Sequence, residues 1–561
     1  MSSCASKEIP TSVTANVSSS SATSRPELRV DLAASGLLPA LPSAYLAGRD
    51  LDLLAPLRFL APGQTPSGPA LPGARKELAE ALAIANRSYG NPRADELARK
   101  LADPATRVVV TGQQPGLLGG PLYAFSKMVA AARWAAALEA AGEPAVAVFW
   151  VATEDHDWAE VSSATVITPD GPRTFDLGPD PEPLTPVGMR ALGPAMDDVL
   201  RGLTEAVPGE RYAEWVRAIG QWYRPDARFG EAFCRLMARL LGRRCPLLLD
   251  AMLPALKSAQ TPWLKRLVER RKQVEQALER RDSEIERRGF PLQIHPQRGA
   301  SPLFLLSRAG LSRGERRRIE WRGESGYGLR GREDGGDAEE LLRIADENPG
   351  VLSPGALARP AIQDAVLGTF LHLLGPGELS YMGQSAAVHE ALEVEPPWVA
   401  LRPQALVVEP KQMDRLAETG LPLETVMGSK QNLERALAAL EGDGQVEPVR
   451  RRVEEALAEL RATDPDLQRP LEKTREQILR ALDTFAEKAT AAAARRNETL
   501  NRRVQQIRES CLPLGKPQER VIASAHFQGK YGDRLVQSFW EQMGLDPRTL
   551  QVTCPDCMET L

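Results

Sequence analysis

The chain has 561 residues, is 43% hydrophobic and 26% charged, and carries a net charge of −4. These values describe a soluble globular protein long enough for several domains, with no global electrostatic pull toward nucleic acid or an anionic membrane. No stretch approaches the roughly 18 uninterrupted apolar residues of a membrane span.

Residues 1–26 are Ser/Thr-rich, lack an apolar h-region, and read as a disordered tail rather than a signal peptide. The six cysteines (Cys4, Cys234, Cys245, Cys511, Cys554 and Cys557) form no disulfide framework, so a cytoplasmic protein is expected. A core is expected over 27–410. Its first part, 27–105, reads as helices broken by prolines, with a helical apolar pattern from Lys76 to Ala85. The stretch 107–157 then reads as one strand–loop–helix–strand unit. Val108, Val109 and Val110 form a short apolar run, and Gly112, Gly116, Gly119 and Gly120 follow in a tight loop. Pro121 suits the first turn of a helix, where its missing N–H costs nothing. That helix passes through an Ala-rich stretch to Gly142, a natural C′ residue. Ala145 to Ala152 is a second apolar run, too short for a helix and too continuous for a half-exposed strand. Two buried parallel strands joined by a crossover helix are therefore expected.

Residues 160–240 mix short β-like runs with Pro/Gly turns and a helical stretch, and form a first insertion. Pro246-Leu247-Leu248-Leu249-Asp250 reads as a further buried strand that ends in a carboxylate. Leu264, Leu267, Val274, Leu278 and Ile285 mark a long amphipathic helix over 262–288, closed by Gly289. Residues 290–345, rich in Arg and Gly, form a second insertion. A helix with Gln363 and Asp364 then runs to Leu374, followed by a loop from Gly375 to Tyr381 and an extended segment over 401–409. Residues 411–512 read as a helical hairpin. Its first helix is marked by Val446, Val449, Val453, Leu457 and Leu460. The second carries Leu471, Ile478, Leu482, Phe485, Ala489, Ala492, Leu500, Val504, Ile507 and Cys511, stepping largely by three and four as in a coiled-coil seam. The polar turn Thr463–Asp466 between them favours an antiparallel pair. Residues 513–561 return to the core and end in a CxxC pair, Cys554 and Cys557, without the second pair that four-ligand zinc needs.

Ligands of parallel sheets bind beyond the carboxyl ends of the strands, often at a helix N-terminus. Here that edge carries Gln113 and Gln114 after the first strand, and Glu154, Asp155, His156 and Asp157 after the second. The glycine loop is neither a Walker A motif, since no Gly-Lys-Ser/Thr closes it, nor GxGxxG. Its backbone N–H groups can approach an anion, and the two glutamine amides both donate and accept; a purely structural turn is the plainer alternative. Three carboxylates crowd His156, so one acid rises or a cation sits among them. Helix capping by Asp155 or Asp157 is the plainer alternative. Metal binding is another, although no second His/Cys set accompanies the cluster and no metal is expected. In the 375–381 loop Gly377 permits close backbone approach, and Glu378 and Tyr381 supply a carboxylate and a phenol. Arg359 and Asp364 bring charge to the same cleft. Lys127, two turns into the crossover helix, reaches a phosphate or carboxylate or else stays solvated.

The runs VVVTGQQPGLLGGPLYAFSK, VFWVATEDHDWAEV, LSPGALARPAIQDAVL, GPGELSYMGQ and ERVIASAHFQGKYG resemble, in order, the cysteine-adding ligase family of bacillithiol biosynthesis (BshC). The resemblance implies an α/β fold: a Rossmann-like parallel-sheet core of the class I nucleotidyl-transferase type, two connecting insertions, and an α-helical coiled-coil domain that makes a homodimer. It implies ligation of L-cysteine to the glucosamine amine of glucosaminyl malate, with ATP as co-substrate. The Ser-rich tail, the Arg-rich second insertion and the CxxC depart from that family.

Under this reading His156 is the expected base, with Glu154 or Asp157 orienting it, because an ordinary imidazole titrates near neutral pH. Gly112, Gln113, Gln114, Gly116, Gly119 and Gly120 would hold nucleotide phosphates or the acyl oxygen. Lys127 and Arg359 would take the malate carboxylates, and Glu378 a sugar hydroxyl or the cysteine ammonium. Asp155, Asp364, Gly377 and Tyr381 complete the expected binding set. Two other classes compete: a metal-dependent amide hydrolase built on residues 154–157, and a non-catalytic coiled-coil scaffold.

Overall fold

The computed structural model describes residues 28–295, 299–307, 314–440, 446–462, 464–496 and 498–557. The expected tail over 1–26, Thr463 of the hairpin turn and the side chains of Val446 and Ala492 lie outside what it describes. The chain divides into two compact units, one formed by 37–407 with 516–557 and the other by 28–36 with 408–515. Residues 28–36, expected in the core, therefore group with the helical unit.

The core unit is organised by six parallel strands: β1 (Arg58–Phe59), β2 (Arg107–Gln113), β3 (Ala145–Val151), β4 (Leu247–Asp250), β5 (Thr369–Leu374) and β6 (Trp398–Leu401). Their order across the sheet is β1-β6-β5-β2-β3-β4. From β2 the chain winds outward through β3 to β4, and then returns to place β5 on the other side of β2. The sheet thus has a topological switch point between β2 and β5, where crevices for ligands open.

Alternation along the strands explains their continuous apolar runs. Val109, Ala147, Phe149 and Val151 face one core layer, together with the helix Leu122–Ala140. Val108, Val110, Val146, Val148 and Trp150 face a second layer, shared with Leu78, Leu82, Leu97 and the 254–269 helix. Both faces are covered, so no polar face exists to interrupt the pattern.

Three expectations are corrected. The helix expected to reach Leu374 stops at Leu367, where Gly368 takes φ 58. The next six residues are β5, buried throughout. A short apolar run fits a buried helix and a buried strand equally well, and here sheet pairing decided. The expected loop 375–381 is instead the start of the helix Pro376–Leu392, with proline in its first turn. The expected helix over 262–288 is two helices, Pro254–Glu269 and Arg271–Arg287.

The first insertion contains an antiparallel pair, Ser163–Thr168 with Gly171–Asp176, and the helices Ala195–Ala206, Glu210–Gly220 and Phe229–Leu241. The second is an antiparallel sheet with Ala300–Ser307 paired to Glu315–Arg322. The helical unit contains Pro410–Thr419, Lys430–Leu440, Val446–Glu459, Gln468–Arg496 and Glu498–Cys511. Among the described residues no helix is long and apolar enough to cross a membrane.

Candidate active site

A cavity of about 920 Å³ opens beyond the carboxyl ends of β2, β3, β5 and β6. It is lined by Gly112 and Gln113 at the end of β2 and Gln114 just beyond it, by residues 154–160 after β3, by Gly375 to Glu378 after β5, and by Arg402 after β6. Lys127, Arg359 and Tyr381 also reach it. The double glutamine and the acidic run with His156 therefore share one cavity.

At the switch point Lys127 is buried, and three acceptors surround its ammonium: Gly112 O at 2.7 Å, Gln113 Oε1 at 3.0 Å and Glu378 Oε2 at 2.6 Å. Three donors meet three acceptors, which fixes the lysine as a cation. Burial pushes the Lys127 amine down, opposed by Glu378. Burial would raise the Glu378 carboxyl, but Lys127 and Arg359 hold it below its usual range. The charged pair is the state this geometry supports. Glu378 also accepts from Gly375 N–H at 2.7 Å, which fixes the start of its helix. Arg359 donates to Tyr381 Oη at 3.1 Å and to Gln363 Oε1 at 3.2 Å.

Gln113 carries the link onward, donating from Nε2 to Glu160 Oε1 at 2.8 Å. Glu160 is exposed to the cavity, yet protein crowded around its carboxyl limits the solvation of that group. That poor solvation, with Asp157 and Asp155 nearby, pushes its acid up to about 7. Gln114 Nε2 donates to Asp155 Oδ2 at 3.0 Å. The glutamines thus latch the end of β2 to the segment after β3.

Residues 154–157 diverge. Glu154, 2% exposed, pairs with buried Lys257 at 2.5 Å, and its Oε1 has no hydrogen-bond partner among the described residues. Asp157 caps the next helix by accepting Glu160 N–H at 3.3 Å. Asp155 and His156 meet Arg316, whose Nη1 lies 3.4 Å from Asp155 Oδ1 and 3.3 Å from His156 Nδ1. Neither Glu154 nor Asp157 orients His156, which corrects that expectation. Burial and then Arg316 lower the His156 pKa, so the ring is neutral at pH 7. A guanidinium only donates, so Nδ1 accepts and Nε2 keeps the proton. In this arrangement His156 offers a donor to the cavity, not a base.

Arg316 comes from the second insertion. Strand alternation puts Arg316 and Arg318 on one face of Glu315–Arg322, over the Phe304 ring at 3.9 and 5.0 Å. Arg316 is anchored by Ser353 Oγ at 2.9 Å and Pro354 O at 2.8 Å. Buried Arg402 is held by Glu519 at 2.6 Å, and its Nε has no partner among the described residues.

Four expected binding residues lie elsewhere. Gly116, Gly119 and Gly120 are buried behind the cavity, clamped by Ser524 N–H to Gly120 O at 2.8 Å and Leu122 N–H to Ile522 O at 2.8 Å. Gly119 takes φ 84, and a Cβ there would sit 3.1 Å from Met237 and 3.2 Å from Ser524. The glycines serve this turn rather than a phosphate. Gly119→Ala should cost about 1–2 kcal/mol of stability, read as a lower denaturant midpoint, with ligand affinity of the folded protein unchanged.

Asp364 is the fourth. It is buried between His389 Nε2 at 3.0 Å and His372 Nδ1 at 3.3 Å, and His389 Nδ1 faces Ser385 O at 3.0 Å. Burial would raise this acid, but His372 and His389 more than offset it and hold it well below the usual range. Its stabilising contribution is therefore present at neutral pH and lost only as pH falls below the ordinary carboxylate range. Asp364→Asn should cost about 3–5 kcal/mol at pH 7, a gap that narrows in acid; chemical denaturation at pH 7 and pH 3 checks it.

Sequence reasoning missed Glu160, Lys257, Arg316 and Arg402. Glu160 lies three residues beyond Asp157 in the same acidic run and was within reach of a wider window. Arg316 stands among Arg316, Arg317 and Arg318, with no local mark to single it out.

The family described as bacillithiol biosynthesis BshC, N-terminal Rossmann-like domain, matches residues 64–403, and its C-terminal coiled-coil domain matches 405–545. Three relatives are each named "Putative cysteine ligase BshC". That of Chlorobaculum tepidum is 30% identical, covering 82% of this chain and 85% of its own. That of Salinibacter ruber is 29% identical over 95% and 99%. That of Solibacter usitatus is 30% identical over 83% and 88%.

Proposed function

This chain belongs to the bacillithiol biosynthesis BshC family, and from that premise we propose that it is a carbon–nitrogen ligase joining the cysteine carboxyl group to the amine of glucosaminyl malate. The observation that carries this reading is the chain Glu378–Lys127–Gln113–Glu160, which sets a fixed cation and a proton acceptor of pKa about 7 in one cavity. Amide formation needs both. A carboxylate must be activated, and the attacking ammonium must first lose a proton.

ATP is the proposed activating co-substrate. Arg359 and Arg520 supply positive charge along the cavity, which suits the phosphates and the malate carboxylates. Glu160 takes the proton from the amine. His156, through Nε2–H, donates toward the developing acyl oxyanion. Asp155 and Asp157 offer negative charge to the cysteine ammonium. The competing metal-hydrolase reading needs residues 154–157 to converge, whereas Glu154 turns to Lys257 and Asp157 to a helix end. We also propose that a second copy of the chain covers exposed Val449, Ile478 and Phe485 of the helical unit; light scattering should give twice the chain mass.

Incubation with cysteine, glucosaminyl malate and ATP, followed by mass spectrometry, tests the reaction. The expected product is the cysteinyl amide. AMP with pyrophosphate would identify an acyl adenylate and ADP an acyl phosphate. Folded protein that makes no amide with any nucleoside triphosphate overturns the reading.

A further inference from the structure

Away from the cavity, Cys554 and Cys557 are joined by a disulfide across Pro555 and Asp556. The sequence marked this pair as a departure without a purpose. Cys234, Cys245 and Cys511 are free thiols buried in the fold. Cys554 is 7% exposed, whereas Cys557 is half-buried. Cys557 is therefore the more exposed residue of the pair. Beside it Asp556 pairs with Arg534 at 3.0 Å, which offsets a carboxylate that would otherwise repel an approaching thiolate. No group of three or more His, Cys, Asp or Glu placed to hold a metal ion occurs among the described residues.

The bond also closes a structural edge. Gln551–Thr553 pairs in parallel with Ala405–Val407 in a sheet of two strands, an arrangement of marginal stability by itself. Cys554 N–H donates to Gln542 Oε1 at 2.9 Å, which anchors the end of that strand. On the partner strand Ala405 N–H donates to Glu519 Oε2 at 2.9 Å, and Glu519 holds Arg402 at the cavity wall.

We propose that Cys554 and Cys557 form a reversible dithiol–disulfide site that exchanges with low-molecular-weight thiols, with Cys557 as the sulfur attacked, and that its oxidised form tethers the 551–553 strand. A thiolate RS⁻ attacks Cys557 Sγ, the Cys554–Cys557 bond breaks, and Cys554 leaves as a thiolate that takes up a proton. A second RS⁻ attacks the outer sulfur of the mixed disulfide, forming RSSR and releasing Cys557 as a thiolate. The protein disulfide gains two electrons and two RSH are oxidised to RSSR. Accessible disulfides are the labile ones in such exchange. The proposal does not depend on the ligase reading.

The full chain is equilibrated in buffers of reduced and oxidised glutathione, alkylated without denaturation, and analysed by peptide mass spectrometry and amide hydrogen exchange. The 554–557 peptide should pass from no alkyl adduct to two across the series, while Cys234, Cys245 and Cys511 stay unmodified. Cys554→Ser should trap a single glutathione on Cys557, and Cys557→Ser should trap far less on Cys554. Exchange at 551–553 and 405–407 should quicken on reduction. A pair that holds one redox state across the series, or adducts that favour Cys554, overturns the exchange site; unchanged amide exchange overturns the tether. The wild-type series decides if either serine variant fails to fold.

Discussion

Glu160→Gln is expected to lower the rate of amide formation by about 10²–10⁴-fold, the usual range for removing a positioned base, with the fold intact. Glu160 opens onto the cavity, and Gln113, which donates to its carboxylate, can bond equally to an amide. In the wild type the rate should climb as pH rises through about 7, where Glu160 loses its proton. That limb should vanish in the variant, and a retained limb at the same pH would assign the base elsewhere. A stability measurement gives an independent check. The folded state raises this acid above its unfolded value, so the associated stability is fully present below the ordinary carboxyl range and is lost as pH rises through about 7. Glutamine mimics the neutral acid. Wild type and variant should therefore have similar denaturant midpoints near pH 4, and the variant should be the more stable at pH 8.

Lys127→Met should destabilise the chain by about 3–5 kcal/mol, because it strands a largely buried carboxylate. The side chains of Lys127 and Glu378 are 3% and 18% exposed, so solvent cannot replace the lost partner. Adding Glu378→Gln should recover most of that stability by removing the charge left behind. Activity should stay absent in the double variant, since the cation at the switch point is gone. Denaturant midpoints of the two single variants and the double variant close the cycle. If Lys127→Met alone keeps wild-type stability, the ion pair is not the structural element its burial implies. If the double variant turns over normally, the cation has no part in the reaction.

Arg359 and Asp364 mark the reach of local sequence. They lie five positions apart, and both looked like charge for one cleft. The fold sends Arg359 to the cavity and turns Asp364 inward between two histidines. Helical spacing could not separate them, because a buried helix has no polar face to mark its outward side. The glycine loop shows the same limit. Its glycines suit a cradle for an anion, but Gly119 and Gly120 answer to Ser524, far along the chain.

The sequence by itself determined the parallel unit 107–151, the crossover helix and the two polar clusters at one sheet edge. Each rests on periodicity, turn residues and capping within about 50 residues, and a chain obeys such local rules wherever it sits. Tertiary structure alone decided what each polar group does there. Arg316 arrives beside His156 from an inserted sheet, Lys257 claims Glu154, and limited solvation beside Asp157 and Asp155 raises the Glu160 acid. Charge, tautomer and proton affinity depend on distance through space and on exclusion of water, and neither quantity is a function of distance along the chain.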